Sequence, residues 1–238
     1  MQQEVPISVI IPAFNEEKYI GDVLESLQKQ TFKDFEIIVS DNDSTDKTKE
    51  ISSRFPRVRV VTEKRRGISR NRNTGARAAR GRLLVFLDAD TVPSEHLLEA
   101  YERSMRDDGV VAATGPIYPL EKTSRRVSLG FKFVSVLFVK SSILLGRPSV
   151  VGLNFAVKKS AFDKIGGFNE DYATYEDWDL SLRLRKHGRI KYVDDAVVHT
   201  STRRINAWGV SGFFGYHVGN IARYHLLKKP KEHYEPIR

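Results

Sequence analysis

Apolar residues fall along this chain in two rhythms. Nearly unbroken apolar runs of about five residues, as expected of strands covered on both faces, occur at Ile7-Ser8-Val9-Ile10-Ile11, at Glu36-Ile37-Ile38-Val39-Ser40, over residues 58–62, at Leu83-Leu84-Val85-Phe86-Leu87 and over residues 110–114. Between them the spacing lengthens. Ile20, Val23, Leu24 and Leu27 recur at i, i+3, i+4 and i+7, the core-facing stripe of a helix. Asn15 is its expected N-cap, with Glu16 and Glu17 in the first turn, where the helix dipole favours acids. A short helix is expected to run to about residue 55. Another is expected over residues 68–80, closed by Gly81, and a third from a Ser94 cap to near Gly109. Strands alternating with helices in this way predict an α/β fold: a mostly parallel, Rossmann-like sheet with helices on both faces.

The second half is less regular. Residues 127–145 are apolar, interrupted by Lys132 and Lys140. Two readings suit them: a helix packed over the sheet, or an interfacial helix touching lipid. Residues 150–157 read as a strand, Gly166-Gly167-Phe168 as a turn, and residues 177–187 as a helix with Gly188 as its C-cap. Residues 190–193 and 196–199 read as short strands. The tail from Ser211 carries Phe213, Phe214, Tyr216 and Tyr224 before Lys228-Lys229-Pro230-Lys231.

Composition narrows the class. A chain of 238 residues is one domain, or one domain with an appendage. It has no cysteine, which excludes disulfide and thiol chemistry and fits a reducing compartment. Its net charge of +9 favours anionic partners. The stretch from Lys64 to Arg82 concentrates that charge, as a solvated basic face or as an anion site. The chain does not open on a basic stretch followed by an apolar core, so no signal peptide is expected. No uncharged apolar run of about 18 residues occurs, so no spanning helix is expected. The expected location is cytoplasmic, with peripheral contact on the inner face of an anionic membrane.

The chemistry enters with Asp88-Ala89-Asp90. Two carboxylates follow a buried strand at its carboxyl end, the edge at which open α/β sheets bind ligands. Paired acids there suit a hard divalent cation, Mg²⁺ or Mn²⁺, which in turn holds a diphosphate. Asp41 ends the second strand in the same way and faces the same crevice. It can take a hydrogen bond from a ring N–H or a ribose, or it can serve as a turn or capping residue in Asp41-Asn42-Asp43-Ser44-Thr45-Asp46.

These blocks together resemble a known family. Residues 7–16, ending Pro12-Ala13-Phe14-Asn15-Glu16, look like the opening of family 2 glycosyltransferases of the GT-A fold. Residues 38–46 are similar to the family's second block, and Arg72-Asn73-Thr74-Gly75 to its Arg-Asn-x-Gly helix. Asp88-Ala89-Asp90 resembles its Asp-x-Asp. Gly166-Gly167-Phe168 followed by Glu176-Asp177-Trp178-Asp179-Leu180 and Arg183 resembles its acceptor block. The likeness covers about residues 5–200. Five individually weak motifs in the right order are together specific. One departure is Asn42-Asp43, where the family often has Asp-Gly, which loosens any statement about the base.

The resemblance implies transfer of a sugar from a nucleotide diphosphate sugar, commonly a UDP-sugar, with inversion, to a glycan or lipid-linked acceptor. It divides the chain into a nucleotide-sugar half (residues 1–115), an acceptor half of the same domain (116–205) and a basic amphipathic tail (206–238). Asp41 would hold the base, with Pro12 and Ala13 lining its pocket and Asn15 and Glu16 alongside on the donor side. Arg72 would reach the nucleotide. Asp88, with Ala89 beside it, would sit near the ribose, and Asp90 would ligate Mg²⁺ or Mn²⁺, with Asp88 and His199 as further metal candidates. Arg203 and Arg204 suit diphosphate oxygens. Inversion needs a base on the acceptor side and charge stabilisation on the leaving side. Asp177 is the expected base, at a helix N-terminus that keeps it ionised, with Glu176 placing the acceptor. Asp179 and Arg183, four apart, are expected to pair structurally. Two rivals fit less well. A nucleotidyltransferase usually has a glycine-rich loop after the first strand, where this chain has Pro12-Ala13-Phe14-Asn15-Glu16. A nucleic-acid-binding module leaves the paired acids unexplained, since they repel phosphate in the absence of a metal.

Overall fold

The structure, a computed structural model, describes residues 5–172, 174–209 and 212. Its elements run β1 (Ile7–Ala13), α1 (Ile20–Gln28), β2 (Phe35–Asp41), α2 (Thr48–Ser53), β3 (Val58–Thr62), α3 (Ile68–Ala78), β4 (Leu83–Leu87), β5 (Thr91–Pro93), α4 (Leu97–Met105), β6 (Val110–Thr114) and β7 (Ile117–Pro119). They continue with α5 (Arg125–Lys132), a π-helical stretch (Phe133–Phe138), α6 (Val139–Leu144), β8 (Asn154–Lys158), α7 (Lys159–Lys164), α8 (Glu176–Leu184), β9 (Arg189–Tyr192) and β10 (Val198–Thr200).

Seven strands form one sheet in the order β3-β2-β1-β4-β8-β6-β9, in which only β8 runs against its neighbours. The expected mostly parallel α/β architecture is therefore present. The two halves of the chain share this sheet, because β8 lies between β4 and β6. Alternation along β1 explains the unbroken apolar runs. Ile7, Val9 and Ile11 face a core containing Ile20, Val23, Leu24 and Leu27 of α1 and Tyr101 of α4. Ile10 faces the opposite core, with Ala76 of α3, Phe162 of α7 and Leu180 of α8. Phe86 and Phe155 stack across β4 and β8 at 4.8 Å between ring centroids, and Phe168 meets Phe86 edge-on at 5.4 Å.

Glycine makes the close layering possible at two places. A Cβ on Gly75 would lie 2.5 Å from Ile10 Cγ2, so α3 sits on β1 at glycine distance. A Cβ on Gly81 would lie 2.5 Å from the Ser8 backbone nitrogen, and the Gly81 N–H donates to Ser8 Oγ at 2.8 Å. Gly81 thus serves a chain crossing. It does not cap α3, which ends at Ala78.

Other helix boundaries differ from expectation for identifiable reasons. Asn15 does not cap α1. It takes a left-handed φ of 53°, and its side-chain oxygen accepts the Thr45 N–H at 2.8 Å, tying the β1 loop to the β2 loop. Glu16 and Glu17 precede the helix, although the Glu16 carbonyl accepts the N–H groups of Tyr19 and Ile20. Ser94 contributes its carbonyl to Leu97 N–H, and α4 begins three residues after it. Helix α8 ends at Leu184, short of Gly188. The strand expected over residues 150–157 is shortened to β8 by an isolated bridge between Val151 and Asn154. A second sheet, β5-β10-β7, was not expected; each of its strands has three residues.

Residues 127–144 are helical and only partly packed over the sheet: Val139 is buried, and Phe131 and Ile143 lie against the two cores. Leu129, Phe133, Leu137, Phe138, Leu144 and Leu145 are exposed, from 41% at Phe138 to 86% at Leu144. By length and composition, Val127–Leu144 is a helix long and apolar enough to cross a membrane, against the expectation that none exists. The aromatic and basic residues from Phe213 onward lie outside the described residues, and residues 203–209 before them are helical.

Candidate functional site

The carboxyl ends of β1, β2 and β4 open on one crevice. The register sets Ala13 beside Asp41, and β4 delivers Asp88-Ala89-Asp90 next to β1. Asp41 is fully buried. Its Oδ2 accepts the Ser44 N–H at 2.9 Å and lies 3.3 Å from Lys49 Nζ, while its Oδ1 has no hydrogen-bond partner. Asn71 on α3 donates to the Ala13 carbonyl at 3.3 Å. Asn42, at the Asp-Gly departure, donates to the carbonyls of Glu63 and Arg65 and accepts the Gly67 N–H. The Arg66 guanidinium lies 3.5 Å over the Phe14 ring. Pro12 and Ala13 are buried beside these groups. Ala89 packs its methyl into the core on the α1 side of the sheet.

Two acid–arginine–acid triads define the rest. In the first, buried Arg72 on α3 donates to Asp88 Oδ1 at 2.9 Å and to Glu176 Oε1 at 2.6 Å, joining the end of β4 to the start of α8. Burial opposes the charge on Arg72, but Asp88, Glu176 and Asp177 outweigh it and raise its pKa. The opposite holds for Glu176. Burial and then the neighbouring Asp177 push its carboxyl up, to about 7, against the pull of Arg72. The two directions agree on one point: the arginine keeps its charge, and the cost of burying the group falls on the glutamate. Asp177 is held by backbone donors, with Gly152 N–H on Oδ2 at 3.0 Å and Trp178 N–H on Oδ1 at 2.8 Å. Asp179 and Arg183 pair at 2.6 Å, and Arg183 also donates to the Ile165 and Gly167 carbonyls, which fixes the glycine turn.

In the second triad, Arg203 bonds Glu16 through both terminal nitrogens at 2.8 and 2.7 Å and reaches Asp90 Oδ2 at 3.0 Å. Its guanidinium lies 4.8 Å over the Tyr19 ring. Burial pushes the Asp90 carboxyl up, to about 6; Asp88 and Glu16 add to this and Arg203 opposes it. Arg204 is half-buried, and burial lowers its pKa against the attraction of Asp88 and Asp90. The backbone leading into this segment is held by two consecutive bonds, Ser201 N–H on the Asp90 carbonyl and Thr202 N–H on Glu121. Glu121, Tyr19 and Gly152 carried no local signal in the sequence. Each matters through a partner that lies far along the chain.

Of the three metal candidates, Asp88 and Asp90 stand together and His199 stands apart on β10. Its ring is 5.9 Å from that of Tyr118, and burial lowers its pKa. Among the described residues no three His, Cys, Asp or Glu side chains converge as a metal cluster. The hard oxygens of Asp88 and Asp90 fit Mg²⁺ or Mn²⁺ of the kind that is held by one or two carboxylates and completed by substrate phosphate, not a closed protein cage.

The sequence matches the family model described as Glycosyl transferase family 2 over residues 8–166, and the model described as N-terminal domain of galactosyltransferase over residues 134–202. It is 31% identical over 196 residues to an uncharacterized glycosyltransferase of Haemophilus influenzae, covering 75% of this chain and 61% of that protein. Its fold resembles that of TarS from S. aureus, crystallised with UDP-GlcNAc, at TM-score 0.67 and 21% identity over 83% of this chain and 59% of that one. It also resembles the mannosyltransferase PcManGT of Pyrobaculum calidifontis, in complex with GDP-Man and Mn²⁺, at TM-score 0.65 and 24% identity over 90% of this chain and 64% of that one. The chain thus spans about three fifths of the length of each of these proteins.

Proposed function

The chain belongs to glycosyl transferase family 2, with the GT-A fold, and from that premise we propose that it moves a sugar from a nucleotide diphosphate sugar, a UDP-sugar by preference, to a glycan or lipid-linked acceptor with inversion. The observation that carries this reading is the Arg72 bridge, which joins the donor-side Asp88 to the acceptor-side Glu176, a residue 104 positions from the arginine itself. It puts the two ends of an in-line displacement on one rigid group. Asp41 Oδ1, buried without a partner, is the acceptor for a ring N–H of the base. Pro12 and Ala13 wall that pocket.

In the proposed reaction Asp177 takes the proton of the acceptor hydroxyl, its carboxylate aimed by the Gly152 and Trp178 N–H groups. The acceptor oxygen bonds to the anomeric carbon, and the bond from that carbon to the diphosphate oxygen breaks on the opposite face. The nucleoside diphosphate leaves with the electron pair. A bound Mg²⁺ or Mn²⁺, held by Asp90 with Asp88 nearby, would supply charge stabilisation to that leaving group. Arg203 and Arg204 would add theirs. Glu176 places the acceptor.

The proposed acceptor side faces lipid. Exposed Leu129, Phe133, Leu137 and Leu144 lie in a stretch, from Lys122 to Phe162, that contains no acidic residue. Six Lys and Arg residues lie within residues 122–147. Lys140 is paired with Asp194 at 2.5 Å, but a stretch with this excess of basic residues suits anionic headgroups, each unpaired cation near them contributing about 1 kcal/mol. The proposed location is accordingly the cytoplasmic side of a membrane, in peripheral contact. A panel of sugar nucleotides, screened for Mn²⁺-dependent hydrolysis and thermal stabilisation, tests the donor reading. Response to one UDP- or GDP-sugar supports it, and silence across the panel overturns it.

A further inference from the structure

We propose that Glu16 parks Arg203 across Asp90, so that a divalent cation gains Asp90 only together with the donor. This rests on the reading of the crevice as a nucleotide-sugar site, and assigns Glu16 a positioning role. Glu16 belongs to the motif that opens the donor side, yet both its carboxylate oxygens are taken by Arg203. The same Nη2 that bonds Glu16 reaches Asp90 at 3.0 Å. All three side chains are nearly closed to solvent, at 11% for Arg203 and Asp90 and 13% for Glu16. Tyr19 backs the guanidinium, and the Ser201–Asp90 and Thr202–Glu121 bonds hold its backbone in place.

The consequence is competition between cations. A divalent ion arriving alone at Asp90 meets a guanidinium already bonded to that carboxylate. The ion must repel it or share the oxygen with it, and either weakens binding. A diphosphate changes the balance. It offers the guanidinium paired anionic oxygens in a planar, bidentate geometry, and it offers the metal the ligands that two carboxylates lack. Arg203 would then turn from Asp90 to phosphate, leaving the Asp90 carboxylate to hold the ion. Glu16 sets how firmly the arginine is held until that exchange. Linkage makes the effect reciprocal: the factor by which nucleotide tightens metal is the factor by which metal tightens nucleotide.

The test is a Mn²⁺ titration of the full chain, read as loss of the free-ion electron paramagnetic resonance signal, with and without saturating UDP or GDP. Wild type, Arg203→Gln, Glu16→Gln and the double variant are compared after circular dichroism has shown each to be folded. The expected result is that nucleotide tightens Mn²⁺ binding to wild type by about tenfold or more. Arg203→Gln should bind Mn²⁺ alone several-fold more tightly than wild type and show a smaller nucleotide effect, keeping only the part that the phosphate ligands supply directly to the metal. Glu16→Gln, which keeps the arginine but loosens its anchor, should fall between them, and the double variant should match Arg203→Gln. Variants that bind Mn²⁺ alone no more tightly than wild type, while still binding nucleotide, overturn the proposal. If no form binds UDP or GDP with or without Mn²⁺, the donor reading itself fails, and conditional loading falls with it.

Discussion

Glu176→Gln should make the protein more stable, and by an amount that depends on pH. The Glu176 carboxyl is raised from 4.5 to about 7 because burial and Asp177 disfavour its charge more than Arg72 favours it. Between those two values the folded state holds a proton that the unfolded chain releases, so wild-type stability falls as pH rises through this window. At about pH 8 the folded carboxylate costs about 3 kcal/mol relative to an unshifted one, and at about pH 5 about 1 kcal/mol. Glutamine mimics the protonated acid and still offers Arg72 an oxygen. Its advantage over wild type should therefore be about 2 kcal/mol larger at the higher pH, or about 4–8 °C in melting temperature for a chain of this length. The raised pKa of Asp90 acts in the same direction but is common to both proteins and cancels. Urea denaturation of both proteins at the two pH values measures the difference. An equal difference at both would mean that Glu176 titrates normally and that Arg72 fully compensates its burial. Transfer should drop in the same variant, an exchange of stability for activity that strained sites often show.

Three further outcomes are expected. Asp41→Ala should weaken UDP binding by about 1.5–3 kcal/mol, the value of a charge-assisted hydrogen bond; calorimetry checks this, and unchanged affinity would make Asp41 a turn residue only. Asp177→Asn should keep UDP-sugar binding near wild type and lower transfer by about 10²–10⁴-fold; wild-type turnover with a matched acceptor would move the base to Glu176. The protein should float with liposomes of rising anionic lipid content at low salt and be released at high salt; if it stays in the soluble fraction, the exposed 127–145 face has another partner and a water-soluble acceptor is favoured.

Much of the fold was legible because β1, β2, β4 and β6 are buried on both faces. Ile7 to Ile11 and Leu83 to Leu87 stand out as apolar runs for that reason alone, and the acids that end them follow from chain order. The three-residue strands β5 and β7 were not legible, since each exists only through its pairing with β10, which was read as a short strand over residues 196–199. Asn15 was misread because its partner is Thr45, thirty residues away, and not the helix it precedes. The 127–145 segment was ambiguous for a different reason. Its apolarity is the same whether it faces protein or solvent, and only the packing separates the two.

The residues of the site were legible as types and positions, but their pairing was not. The sequence presents a strongly basic chain with a few acids at strand ends. The crevice has the opposite character: Glu16, Asp88, Asp90, Glu176 and Asp177 share it with Arg72, Arg203 and Arg204. Two of those arginines are each divided between two acids, and the more distant acid lies 104 residues from Arg72 in one case and 187 from Arg203 in the other. Among these groups acids therefore outnumber cations at the place where the proposed donor's diphosphate would enter. An anionic ligand can be accommodated there only if a cation comes with it or if an arginine turns from carboxylate to phosphate. Arg72 is buried and held between two elements, whereas Arg203 sits on the helical segment 203–209 that follows the last strand. Arg203 is thus the group placed to turn in the proposed exchange, and the excess of acid is the reason a metal is proposed at Asp88-Ala89-Asp90.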